Sequence, residues 1–290
     1  MKKCLNCNHE FNSESWQCMQ CSYEPILINN FLSFAPELAQ ENEGFNPESF
    51  ALLAKLEGKN FWFRNRNRLI IWAFNKYFKQ AKNFLEIGCG TGFVLSAIEK
   101  NFPQLQIYGS EIYSNGLTFA SQRLKNAQLL QMDARKIPFM QEFDVIGAFD
   151  VIEHIKEDED VLKEMNNSLL MKGGVILTVP QHRWLWSQAD EYAHHVRRYT
   201  AKELKNKVES AGFKVLKMTS FVSLLLPLMI ISRLKPRKPN QQFDILSEFK
   251  ISPLLNKILE IILTIELILI KMGVSFSFGG SLLLIAVKVK

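Results

Sequence analysis

The 290-residue sequence predicts an α/β chain built on a doubly wound, seven-stranded and mostly parallel sheet. Three observations predict it. From Asn83 onward, short apolar runs alternate with helix-period stretches. Each run is short enough for one strand and lies next to a helix, the rhythm of a parallel sheet covered on both faces. Apolar residues make up 47% of the chain, enough for a sizeable core and too many for a disordered polypeptide.

In chain order, residues 1–25 form a ribbon-sized unit, and 26–78 read as a helical lead-in with an apolar-aromatic pattern from Phe50 onward. The main domain covers 79–223 plus 281–290, with strands expected over 84–87, 106–109, 128–131, 144–149, 175–179, 213–219 and 282–289. Helices fall near 94–102, 116–125, 158–170 and 201–210. The last begins with a predicted capping box, Thr200 as N-cap and Glu203 three residues on. An insertion over 224–280 separates the last two strands. It contains an apolar stretch, a basic loop with Arg233, Lys235, Pro236, Arg237, Lys238 and Pro239, and a long helix over about 253–271. Asn256, Lys257, Glu260, Thr264 and Lys271 share one face of that helix, and the opposite face is Leu and Ile except for Glu266. Its charges make it a poor transmembrane span, so it packs on the core or lies on a lipid surface.

The net charge is +6, and from Leu224 onward nine Lys/Arg face four Asp/Glu. A basic, apolar tail fits an anionic membrane surface or nucleic acid, or lysines that only solubilise helix edges. Met1-Lys2-Lys3 runs straight into a Cys/Asn-rich stretch where a secretory leader would need apolar residues. This predicts a cytoplasmic protein, at most peripheral on the inner membrane surface.

Cys4-x-x-Cys7 and Cys18-x-x-Cys21 read as two zinc knuckles, each turning two thiolates inward to complete a closed, structural tetrahedral site. Paired redox disulfides are the alternative. Leu85-Glu86-Ile87-Gly88-Cys89-Gly90-Thr91-Gly92 follows a strand and opens a helix, so its backbone N–H groups can approach a ligand closely. Phe93 stands where a dinucleotide fingerprint requires glycine, and no Gly-Lys-Ser/Thr follows, which excludes a Walker loop.

The run Glu86-Ile87-Gly88-Cys89-Gly90-Thr91-Gly92 resembles the first motif of class I S-adenosylmethionine-dependent methyltransferases. The spacing of later elements is similar to the methyltransferase type 11 group, which includes quinone-biosynthesis O-methyltransferases. The resemblance extends over roughly 61–222 and the final strand. It implies a Rossmann-like sheet with its last strand antiparallel. It also implies that Glu86 and Gly88, Cys89, Gly90 and Gly92 hold the methionine part of the cofactor. Glu111, followed by Ile112, would accept both ribose hydroxyls, and Asp133, followed by Ala134, would take the adenine amino group. Solvated loop acids are the plain alternative for Glu111 and Asp133. Asp150 ends the fourth strand at the cofactor site, and Asp150-x-x-Glu153-His154 is similar to a pattern in quinone O-methyltransferases that require a divalent cation. Mg²⁺ beside an acceptor hydroxyl is one reading, and a loop-shaping role is the other. The tetrapeptide that grips a base amine in adenine N6 methylation is absent.

After the fifth strand, Gln181 to Tyr199 is rich in His, Trp and Arg. A hydroxyl acceptor needs a base of near-neutral pKa, for which His194 or His195 is expected, with His182 in reserve and Trp184 and Trp186 walling the acceptor pocket. Alternatively these side chains lock a lid by hydrogen bonds. Phe61-Trp62-Phe63-Arg64-Asn65-Arg66-Asn67-Arg68 interleaves aromatics with arginines, as nucleic-acid surfaces do, but at helical spacing it more simply covers the core or caps the cofactor. The sequence thus points to methyl transfer from S-adenosylmethionine to a small or lipid-linked acceptor, with O-methylation expected. An RNA methyltransferase using the ribbon and basic segments, or a non-catalytic binding protein on the same fold, are the alternatives.

Overall fold

The computed structural model describes residues 1–39, 48–233 and 251–289. Lys235 to Pro239 of the expected basic loop lie outside the described residues. The N-terminal unit pairs β1 (Lys2–Lys3) with β2 (Glu10–Phe11). It is anchored to the main domain: the Lys3 N–H donates to the Pro138 carbonyl at 3.0 Å, and the Trp16 indole packs edge-on against Phe34 and Phe139.

The expected helical lead-in starts instead with a hairpin, β3 (Ile26–Ile28) and β4 (Phe31–Ser33). Asn29 and Asn30, both at positive φ, form its turn. β4 runs parallel to a strand of the main sheet, extending the seven expected strands to nine. Then come α1 (Glu48–Leu56) and α2 (Phe61–Tyr77), the latter capped by the Asn60 side chain, which accepts from the Trp62 N–H at 2.9 Å.

The alternating section follows as β5 (Asn83–Ile87), α3 (Phe93–Asn101), β6 (Gln106–Glu111), α4 (Ser114–Arg123), β7 (Gln128–Gln131), β8 (Phe143–Phe149), α5 (Asp158–Ser168) and β9 (Leu169–Pro180). It continues with α6 (Gln188–Tyr192), α7 (Ala201–Ser210), β10 (Phe213–Phe221), α8 (Leu226–Arg233), α9 (Pro253–Lys271) and β11 (Ser281–Lys288). The sheet order is β10-β11-β9-β8-β5-β6-β7-β4-β3, with β11 antiparallel to both of its neighbours. β5 pairs in parallel with β6 on one side and β8 on the other, so the strand order reverses there. In open α/β sheets the crevice outside the carboxyl ends at that reversal is where ligands bind.

Each sheet face has its own core. Val161, Leu162 and Met165 of α5 join Leu204 and Val208 of α7 over one face. Ile70 and Phe74 of α2, Leu95 of α3 and Leu117 of α4 cover the other, together with Leu263 and Leu267 of α9. Only half of the predicted capping box forms on α7: Thr200 Oγ1 accepts from the Glu203 N–H at 3.2 Å, while the Glu203 carboxylate pairs with Arg183. A reciprocal box caps α6, where Ser187 and Asp190 exchange hydrogen bonds.

Candidate active site

The carboxyl ends of β5, β6 and β8 open into a cavity of about 590 Å³, within the range of small-molecule sites. The glycine loop forms its floor. Gly88 has φ of 65°, and a Cβ there would lie 2.6 Å from Val151, so glycine is required on both counts. Cys89, Gly90, Ile112 and Ala134 also line the cavity, whereas Gly92 caps the start of α3 behind it. Burial pushes the Cys89 thiol well above its ordinary pKa, which leaves it a poor nucleophile.

Three acids meet here from successive strands. Glu86 is buried and its Oε2 has no hydrogen-bond partner. Burial pushes its carboxyl well above the usual range, with Arg66 pulling the other way. Glu111 accepts from the N–H groups of Gly90 at 3.0 Å, Ile112 at 2.8 Å and Tyr113 at 3.3 Å. Burial still raises its pKa against those three donors. Asp133 accepts from the N–H and Nε of Arg135, both at 2.9 Å. Asp150, at φ of 59°, is ion-paired to Arg66 and accepts from Thr178 Oγ1 at 3.2 Å.

Sequence reasoning left Arg66, Glu57 and Arg123 out of the site. Arg66 reaches into the cavity from α2 with its guanidinium over the Trp62 and Phe63 rings, 4.7 and 5.7 Å from their centroids. The aromatic-arginine run is therefore partly a cavity wall. Arg64 and Arg68 pair with Glu260 of α9 instead of presenting a free basic surface. The buried Glu57, just after α1, accepts from Thr91 Oγ1 at 2.7 Å and from Arg123 at 2.7 Å, fastening α1 to the glycine loop and to α4. Phe50 of α1 lines the cavity above the loop.

The three candidate bases separate. His194, at φ of 54°, lines the cavity. His195 lies outside the lining, its Nδ1 2.8 Å from Asp190 Oδ1 and its ring 4.7 Å from that of His154. Burial works against a charge on Asp190, but hydrogen bonds from His195 and Arg198 outweigh it and hold the carboxyl far below its usual range. His182 is stacked between Trp184 and Phe278, at 5.0 and 5.5 Å, and does not line the cavity. Neither do Trp184 and Trp186, so the expected aromatic wall is supplied by Phe50, Phe63 and Phe93 instead.

Two groups of side chains have metal-ligand spacing among the described residues. In the ribbon, Cys4 Sγ lies 3.6 Å from Cys21 Sγ, and Cys7 Sγ lies 3.6 Å from Cys18 Sγ. Thiolates ~2.3 Å from a tetrahedral zinc stand roughly 3.8 Å apart, so the four fit that ion. The second group is Glu153, His154 and His195, not the expected trio with Asp150, whose carboxylate is engaged by Arg66. Both Glu153 oxygens are buried without a hydrogen-bond partner, Oε1 lying 3.9 Å from His195 Nε2, and burial raises that carboxyl well above its ordinary pKa.

A methyltransferase-domain family model matches residues 55–218. The chain is 30% identical over 94 residues to a Thermotoga maritima demethylmenaquinone methyltransferase, a match covering 32% of this chain and 41% of that protein. It is 28% identical over 130 residues to a Legionella pneumophila malonyl-[acyl-carrier protein] O-methyltransferase, covering 41% and 46% respectively. The chain thus spans less than half the length of these curated relatives. Among solved structures, Haemonchus contortus phosphoethanolamine N-methyltransferase 2, in complex with S-adenosyl-L-methionine, aligns with a TM-score of 0.55 at 17% identity, over 84% of this chain and 58% of that one. The family match takes in the glycine loop, all three strand-end acids and Arg66, and by it the chain belongs to the methyltransferase-domain family, on the fold of the S-adenosylmethionine-dependent methyltransferases.

Proposed function

We propose that the protein transfers the methyl group of S-adenosylmethionine to a small or lipid-linked acceptor, on a hydroxyl oxygen. The observation that carries this reading is that Arg66 and Glu86, whose Oε2 is buried without a hydrogen-bond partner, line one cavity together with Glu111 and Asp133. A methionine tail needs one cation for its carboxylate and one acceptor for its ammonium, and Arg66 and Glu86 offer them. Glu111 suits a neutral ribose diol, and Asp133 and Ala134 suit the adenine edge. The bound cofactor supplies an electrophilic methyl carbon on a sulfonium. His194 would accept the proton released by the acceptor hydroxyl on methyl transfer. Asp190 holds His195 against His154, so His195 acts as a positioning residue behind the cavity. Of the curated relatives, the malonyl-[acyl-carrier protein] O-methyltransferase motivates oxygen as the atom.

A structural zinc belongs to the four ribbon cysteines. Magnesium finds less support, because the second group offers two imidazoles where that ion prefers oxygen ligands. An RNA acceptor is the weaker reading, since Arg64 and Arg68 are ion-paired to Glu260 and Arg66 turns into the cavity, not onto an outer surface. Calorimetry with S-adenosylmethionine and its demethylated product tests the cofactor assignment. Labelled-methyl transfer into lipid, small-molecule and RNA fractions of an extract tests the acceptor. Tight binding of a nicotinamide or flavin with no heat from the adenosyl compounds would overturn the reading.

A further inference from the structure

Helix α9 buries Leu263, Leu267 and Ile270 in the core and still leaves a second apolar face in solvent. Asn256, Glu260 and Thr264 meet α2: Asn256 Oδ1 accepts from the Phe61 N–H at 2.9 Å, Glu260 pairs with Arg64 and Arg68, and Thr264 Oγ1 lies 3.3 Å from Asn65 Oδ1. Glu266 points inward and accepts from the N–H groups of Val222, Ser223 and Leu224, at 2.6, 2.6 and 2.8 Å. Leu254, Ile258, Ile261, Ile265, Ile268 and Met272 are left outside, from 46% exposed at Ile258 to 77% at Met272. At 100° per residue these six lie within roughly an 80° stripe running the length of the helix. Leu228 and Ile231 of α8 add further exposed apolar surface.

The charges select what covers the stripe. Both acids of α9 are turned inward, so its exposed charges are Lys257 and Lys271 alone, on one flank of the stripe and about 21 Å apart along the axis. In an antiparallel pair of these helices Lys257 of one copy would face Lys271 of the other, and in a parallel pair each lysine would lie beside the other copy's apolar flank, with no exposed acid of the helix to answer it in either case. Anionic headgroups answer both lysines while the isoleucines enter the acyl boundary. No helix among the described residues is long and apolar enough to cross a membrane, which leaves contact in the plane of the interface.

We propose that the outer face of α9 is a docking surface for an anionic lipid bilayer, on which the protein lies with this helix in the interface. The surface uses no residue of the cofactor cavity and does not depend on the acceptor. Helix α9 itself stands between that surface and α2, which carries Phe63 and Arg66 of the cavity wall.

The test is co-sedimentation of the full chain with phosphatidylcholine vesicles, with and without phosphatidylglycerol. The expected result is binding that needs the anionic lipid and weakens with salt. The triple variant I261S/I265S/I268S should lose it at least tenfold while keeping its circular dichroism and its affinity for S-adenosylhomocysteine. K257E/K271E should weaken it by at least roughly fivefold per lysine on anionic vesicles. A wild-type chain left in the supernatant with both vesicles would overturn the proposal, as would a triple variant that binds like wild type. So would light scattering showing a wild-type dimer that the triple variant dissolves, since the stripe would then be covered by a second copy.

Discussion

Glu111 Oε2 accepts a hydrogen bond from the Gly90 N–H at 3.0 Å, so the acid ending the second strand of the alternating section is tied to the glycine loop leaving the first. That bond fixes the distance between the part of the cavity assigned to the ribose and the part assigned to the methionine tail. Glu111→Ala should therefore weaken S-adenosylhomocysteine binding by more than deleting an isolated acid would. Hydrogen bonds to a charged group contribute about 1.5–3 kcal/mol each, so losing two ribose contacts predicts a rise in Kd of about a hundredfold or more. Isothermal calorimetry reads it, and an unchanged Kd would remove Glu111 from the site.

Arg66 makes a prediction that separates the two ends of the ligand. Arg66→Met keeps the apolar stem against Trp62 and Phe63 and deletes the guanidinium. Affinity for S-adenosylhomocysteine should fall roughly tenfold to a hundredfold, the scale of a charge-assisted hydrogen bond. Affinity for 5′-methylthioadenosine, which has no amino-acid tail, should change little. Equal losses for both compounds would assign Arg66 to holding the fold through Asp150 and not to the carboxylate.

These residues also show what a sequence carries and what it does not. Glu86, Glu111 and Asp133 were legible because each follows an apolar run, and the end of a strand is a fixed place in this kind of sheet. Arg66 was not, since its partner Asp150 lies 84 residues away and no local pattern joins them. Helix α9 was legible in extent from its periodicity, but not in direction. A polar stripe ordinarily faces water, and here Arg64 and Arg68 on a distant helix turn Glu260 inward. The β3–β4 hairpin was missed although Asn29-Asn30 between apolar residues is a turn signal, because three-residue strands give too few positions to show a period.

His154 lines the cavity, and burial lowers its pKa from 6.5 to about 3, with the neighbouring His195 acting in the same direction. The neutral ring is favoured on folding, so this contribution is fully present above pH 6.5 and is lost as pH falls toward 3. Each pH unit in that window costs up to about tenfold in the folding equilibrium. Urea unfolding at pH 7, 6 and 5 should show wild type losing stability faster than His154→Phe. Parallel slopes would mean that the ring charges freely in the folded protein.

The ribbon makes the last prediction. Its four thiolates have a zinc-like geometry, and its anchor to the main domain is Trp16 between Phe34 and Phe139, together with the β1 edge on Pro138. Trp16 is partly buried against the core, and the apolar contact it makes there is worth on the order of 1 kcal/mol, so freeing it would be felt by the whole chain. Cys18 is 1% exposed and completes the cluster. Cys18→Ser should abolish bound zinc, measured by plasma mass spectrometry, shift tryptophan emission to longer wavelength and lower the Tm by several degrees. S-adenosylhomocysteine affinity should hold near wild type, because no ribbon residue lines the cavity. A wild-type protein that purifies without zinc and forms Cys4–Cys21 and Cys7–Cys18 disulfides reversibly would replace the structural metal with a redox role.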